Sequence, residues 1–148
     1  AREREGAALA ADLLQRTALV TRCLEKIEAR APTVTAALHD RLRRRVAELL
    51  GAPGAATAPA EIAREVALLA TKADVTEEGV RLRHHLADLR GSLRSRDAVG
   101  RKLDFLAQEL LREFNTIGSK SADAEITGAV VAAKAEVDRI KEQAANLE

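Results

Sequence analysis

From residue 126 onward an apolar side chain recurs at Ile126, Val130, Ala133, Val137, Ile140, Ala144 and Leu147, at spacings of 4, 3, 4, 3, 4 and 3. That alternation is an unbroken heptad stripe, which lines one face of an α-helix. A strand would split this series between its two faces, Ile126, Val130, Ile140 and Ala144 on one and Ala133, Val137 and Leu147 on the other. The segment from about Ala122 to the end must therefore be one long helix lying lengthwise along a neighbour. The stripe does not say whether that neighbour belongs to the same chain.

The rest of the chain follows the same grammar. Ala, Leu, Arg and Glu dominate, and Trp, Tyr and Met are absent. Phe105 and Phe114 are the only aromatic residues. Good helix formers without β-branched or aromatic runs predict an all-α fold. The periodicity predicts a single all-helical domain over 1–148, a helical bundle of about six helices. The first runs from about Arg2 to Ala31, carrying Leu9, Leu13, Val20, Leu24 and Ile27. Pro32 marks its end, and Thr33 caps a second helix that runs to Leu50 with Val34, Leu38, Leu42, Val46 and Leu49. Residues 1–50 thus read as an N-terminal helical hairpin. Gly51 to Pro59, GAPGAATAP, has the composition of a loop. Residues 60–148 carry the remaining four helices: about Ala60 to Ala73 with Ile62, Val66 and Leu69, about Thr76 to Ser95 with Leu82, Leu86, Leu89 and Leu93, about Val99 to Ile117, and the long C-terminal helix.

The net charge is +1, so no global field steers a partner. The charge is local instead. Between residues 81 and 102 seven Arg and Lys side chains face only Asp88 and Asp97, a net +5. Cys23 is alone, which leaves no disulfide partner within the chain and makes a cytoplasmic home the simplest expectation. No apolar run approaches the roughly 20 residues of a membrane span. The opening AREREG lacks a Met and is already in helical rhythm, as expected of a piece of a longer protein.

Two helices carry candidate chemistry. On the fifth, Glu109 and Glu113 are i and i+4, so their carboxylates can reach one point. Two carboxylates there can hold a hard divalent cation, Mg²⁺ or Mn²⁺, with water completing its shell. An ordinary solvated face with Lys102 as counter-charge explains the same pair. Arg101, Asp104, Gln108, Arg112 and Asn115 share another face of that helix. On the fourth, Arg83, Arg90 and Arg94 form a stripe able to follow a phosphate backbone. With no aromatic residue among them, base stacking on that helix is a minor expectation. His84 and His85 are also there. Adjacent histidines on a helix cannot aim both rings at one atom, so at most one of them serves as ligand or general base.

Between the fifth and sixth helices lies Ile117-Gly-Ser-Lys-Ser121. Gly118 suits the left-handed residue that ends a helix, and Ser119 or Ser121 can cap the next. Turn grammar accounts for the Gly and the Ser but not for Arg112, Asn115 and Lys120 around them.

The run GRKLDFLAQELLREFNTIGSKSADAEITGAVVAAKAEVDRIKEQAANLE, Gly100 to Glu148, resembles the end of the YicC/YloC family of bacterial proteins, and EVALLATKADVTEEGVRLRHHL, Glu65 to Leu86, resembles the region before it. The likeness is strong from about Glu61 onward and looser before. Phe114, His84 and Ala144–Ala145 depart from the family pattern. The resemblance implies a metal-dependent endoribonuclease that assembles as a ring-like homo-oligomer and carries a further domain ahead of this region. It marks Arg101, Lys102, Asp104, Gln108, Glu109, Arg112, Glu113, Asn115 and Lys120 as the site region. The expected division of labour is Glu109, Glu113 and His85 as catalytic and metal-holding groups, with RNA positioned by Arg83, Arg90, Arg94, Arg101, Lys102, Arg112, Asn115 and Lys120. The competing expectation is a non-catalytic RNA-binding or oligomerisation module whose chemistry requires the domain ahead of it. A helical bundle without RNA affinity is a third.

Overall fold

The computed structural model of the chain describes residues 2–51, 59–95 and 100–147. All the regular structure among them is helical: α1 (Arg2–Leu50), α2 (Pro59–Lys72), α3 (Thr76–Arg94), α4 (Gly100–Lys120) and α5 (Ala124–Ala144). The all-α class holds, but five helices replace the expected six. The difference is Pro32, which sits inside α1 instead of ending it. Proline removes one i→i−4 hydrogen bond and crowds the carbonyl before it. The helix runs on because Ala31 and Val34, on either side of Pro32, pack against the core. Residues 1–50 are therefore not a hairpin; α1 is one helix of 49 residues, about 70 Å long.

Four elements close a ring. The first half of α1 packs on α5, α5 on α4, α4 on α3, and α3 back on α1. Cross-links fix the directions. Arg16 bonds Glu136 at 3.0 Å and Arg30 bonds Asp123 at 3.1 Å, so α1 and α5 are antiparallel. Arg83 pairs with Glu28, and Arg90 reaches Thr21 at 3.5 Å, so α1 and α3 are antiparallel too. The core is the set of stripes that these directions bring together: Leu13, Val20, Leu24 and Ile27 of α1, the four seam leucines of α3, Leu103 to Ile117 of α4, and the heptad stripe of α5. Phe114 is fully enclosed there. The heptad stripe thus finds its neighbours, α1 and α4, inside the chain.

Beyond Val34, α1 leaves the ring and packs with α2 to form an arm. Val66 and Ala70 are buried there, outside the main core. The expected seam positions Leu49 and Leu69 are exposed, as is Leu68. A two-helix arm has only one inner face to hide, so it cannot cover every leucine. Gly51 lies past the end of α1 and Pro59 opens α2, as the loop expectation requires; residues 52–58 of that stretch lie outside the described residues. Among the described residues no helix is long and apolar enough to cross a membrane. Cys23 is free and half-buried, and burial pushes its thiol pKa up.

Candidate functional site

The turn before α5 differs from its expected grammar. Gly118 is helical, not left-handed, and α4 continues to Lys120. A Cβ on Gly118 would meet Val130 Cγ1 at 3.5 Å, an ordinary contact. Ser119 Oγ donates to the Thr116 carbonyl and the Ser121 N–H to the Ile117 carbonyl, so the last turn satisfies itself. The N-cap of α5 is Asp123 rather than a serine. Its carboxylate accepts from the Ile126 N–H at 3.1 Å and from the Arg30 guanidinium through both oxygens. A carboxylate serves cap and ion pair together, which a hydroxyl cannot. The Arg30 hydrogen bonds hold Asp123 below the usual carboxylate pKa.

Lys120 explains the rest of the turn. Its Nζ donates to Glu78 Oε1 at 2.7 Å and to the Asp74 carbonyl at 3.1 Å. It ties the end of α4 to the start of α3. Glu78 is buried, with 3% of the residue exposed, and its second oxygen, Oε2, is enclosed without a partner. One turn along, Arg81 donates from Nε to Glu113 Oε1 at 2.9 Å and lies 3.6 Å from Glu78 Oε1. The bond to Glu113 raises the Arg81 pKa. These two links set an antiparallel register. By that register His85, a turn beyond Arg81 on the same stripe, comes level with the turn of α4 that carries Glu109. His85 is half-buried and its Nδ1 is enclosed without a hydrogen-bond partner. The result is a polar seam along α3 and α4: Glu78, Arg81 and His85 on one side, Lys120, Glu113 and Glu109 on the other.

Hydrogen bonds tie Glu113 and Lys120 of the expected site into the seam with Glu78 and Arg81, and the register places His85 and Glu109 along it. Glu78 and Arg81 were legible only in part. Glu78 lies one turn before Leu82 on the buried stripe, and a charge on that stripe signals a partner across it.

The expected RNA contacts divide. Arg83 forks onto Glu28 of α1, and Arg90 is half-buried against Thr21, so both face the neighbouring helix. Arg94 is exposed. Arg101, Lys102, Arg112 and Asn115 stand exposed along α4. Neither Arg101, Lys102 nor Arg112 has an ion-pair partner among the described residues. His84 is exposed, 3.8 Å from Asp88 and in edge contact with His85.

For a metal the fit is partial. Among the described residues no three His, Cys, Asp or Glu side chains gather to hold an ion, so His85, Glu109 and Glu113 do not form a closed cage. Arg81 already occupies one oxygen of Glu113. Mg²⁺ asks less, since it commonly takes one or two carboxylates and draws its remaining ligands from water and substrate phosphate. The carboxylates on offer are the half-exposed Glu109 and, one turn on, the buried Glu113.

Residues 27–148 match the family model described as endoribonuclease YicC-like, C-terminal. The chain belongs to that family. It is 42% identical over 147 residues to a protein of Clostridioides difficile (strain 630) named probable endoribonuclease YicC, and 37% identical over 147 residues to one of the same name from Haemophilus influenzae. Each alignment covers 99% of this chain and 50% of the relative, so the chain spans about half the length of the relatives it matches. The YicC-like match begins within α1, well before the Glu61 at which the sequence resemblance becomes strong.

Proposed function

We propose that the chain acts on RNA as part of a cytoplasmic, metal-dependent endoribonuclease, with the α3–α4 seam at its reactive centre. The observation that carries this reading is the seam itself: a half-buried histidine and two carboxylates in register, bordered by cations on α4 that have no ion-pair partner among the described residues, in a chain whose relatives are named probable endoribonucleases. Arg101, Lys102 and Arg112 hold the phosphate backbone by charge, and Asn115 adds a hydrogen bond. Glu109 faces the bound strand and Glu113 is kept in place by Arg81. His85, with its Nδ1 enclosed and without a partner, takes or returns a proton. A bound Mg²⁺ or Mn²⁺ supplies a Lewis acid for the charge that builds on the phosphate. Lys120 and Glu78 hold the two helices at the spacing this requires.

The same reading includes assembly as a homo-oligomer. The α5 stripe is used internally, so the exposed Leu49, Leu68 and Leu69 of the arm are taken as the surface for it, ahead of the scattered Leu19, Val80 and Val131. The competing reading, a non-catalytic RNA-binding or assembly module, is favoured by one fact: half of each relative lies outside this chain.

The test is a cleavage assay on a hairpin-containing RNA with Mn²⁺, Mg²⁺ or EDTA, using the chain and its Glu109→Gln/Glu113→Gln variant. Metal-dependent cutting that the folded variant loses is the expected result. Cutting that survives in the variant refutes the assignment of the carboxylates. Bound but intact RNA moves the chemistry outside this chain.

A further inference from the structure

Phe105 is out of place. It is 59% exposed, whereas the other aromatic residue, Phe114, is fully enclosed about two and a half turns along the same helix, on its opposite face. Single exposed apolar residues are common and by themselves carry no meaning. The neighbourhood of this one does. Its i±3 and i±4 neighbours, which share its face of the helix, are Arg101, Lys102, Gln108 and Glu109, all polar or charged. Arg112 lies two turns on, along the same stripe. The arginines flank the ring along about 16 Å of helix. Gln108 and Asp104 stand beside it, bonded to each other at 3.0 Å, with the amide oxygen of Gln108 left over.

A protein partner seated on Phe105 would have to bury that ring of charge with it, and interface cores are depleted in charged side chains. A nucleic acid strand fits without such a conflict. Its phosphates meet Arg101 and Arg112, and the face of a base covers the phenyl ring. Only an unpaired base can do this, because the bases of a duplex are stacked on one another and offer no free face.

We infer that Phe105 is a base-stacking platform that restricts the RNA to single-stranded or looped-out nucleotides. This rests on the RNA-cleaving reading and names its substrate class. Glu109 is i+4 from Phe105, so a nucleotide stacked on the ring is held with its phosphodiester toward the reactive seam. Phe105 is a positioning residue.

The chain contains neither Trp nor Tyr, so Phe105→Trp introduces a single reporter at the site. Its fluorescence is expected to be quenched by an oligouridylate or oligoadenylate strand and not by duplex RNA of equal length. Phe105→Ala and Phe105→Leu are expected to fold normally and to weaken single-strand binding about 5- to 150-fold, the range for loss of one base–aromatic stack. Neither should alter the salt dependence. Arg112→Gln, by contrast, should reduce its slope by about 0.7. If the unsubstituted chain binds single strands and Phe105→Ala binds them equally well, the platform is refuted while the RNA reading stands. A Phe105→Ala variant that changes its sedimentation but not its RNA affinity identifies a protein contact and overturns the inference. A chain that binds no RNA overturns both.

Discussion

Lys120→Met tests whether the lysine at the end of α4 is a phosphate contact or a tie. The Glu78 side chain is 4% exposed, and its nearest cation is Lys120 Nζ at 2.7 Å. Methionine keeps the apolar stem and removes the charge. Breaking a buried pair by deleting one partner typically costs about 3–5 kcal/mol, because the other charge is left uncompensated. Two features reduce that here. Lys120 is 29% exposed, so its charge is partly screened, and Arg81 stays 3.6 Å from Glu78 Oε1. An exposed pair gives about 1 kcal/mol or less. The expected loss lies between these limits, about 2–3 kcal/mol, or about 5–10 °C in Tm for a chain of this size. Urea unfolding followed by circular dichroism reads it as a lower midpoint at constant slope. Glu78→Gln in the Lys120→Met background should recover part of the loss, with a coupling of about 1–2 kcal/mol in the double-mutant cycle. A loss under about 0.5 kcal/mol, the range of ordinary surface substitutions, would refute this reasoning and return Lys120 to the RNA.

Two further expectations concern α1 and the cap of α5. Pro32→Ala restores the backbone bond to the Glu28 carbonyl and relieves the ring's crowding, offset in part by a freer unfolded chain, so it should stabilise by about 1–2 kcal/mol; a destabilised variant in urea would show that α1 needs the proline. Asp123 has its folded pKa lowered by Arg30 and the Ile126 N–H, so its contribution is complete above the ordinary carboxylate pKa and fades as pH falls through the lowered one. Urea midpoints should therefore decline below about pH 4, and less steeply in Asp123→Ala. Parallel profiles for the two proteins would contradict it.

What the sequence made legible was what periodicity encodes. The stripes of Leu82 to Leu93, Leu103 to Ile117 and Ile126 to Ala144 are buried as spaced, because 3.6-residue geometry alone decides which side chains share a face. Whether a helix stops at Pro32, or where Gly118 sits in φ, depends on packing several residues away. Ala31 and Val34 pack α1 on the core on both sides of the proline and the helix continues, and the self-satisfied turn at Thr116 to Ser121 lets the glycine stay helical. The arginines of α3 illustrate the same limit. Spacing put Arg83, Arg90 and Arg94 on one stripe, but only the antiparallel placement of α1 set Glu28 and Thr21 opposite the first two.

Two residues break the local rules in opposite ways, and both sit beside the seam. Glu78 is a carboxylate buried on a leucine stripe, with one oxygen left unbonded. Phe105 is an aromatic left in water on a charged face. Burying a polar group without a full set of partners is costly, and exposing a ring forgoes its burial, so neither helps the bundle fold. In a chain otherwise consistent from propensity to packing, such violations gather where a structure serves something besides its own stability. Glu78 holds Lys120 and, through Arg81, reaches Glu113. Phe105 stands one turn from Glu109. The two irregularities thus converge on the same pair of carboxylates, from inside the bundle and from its surface.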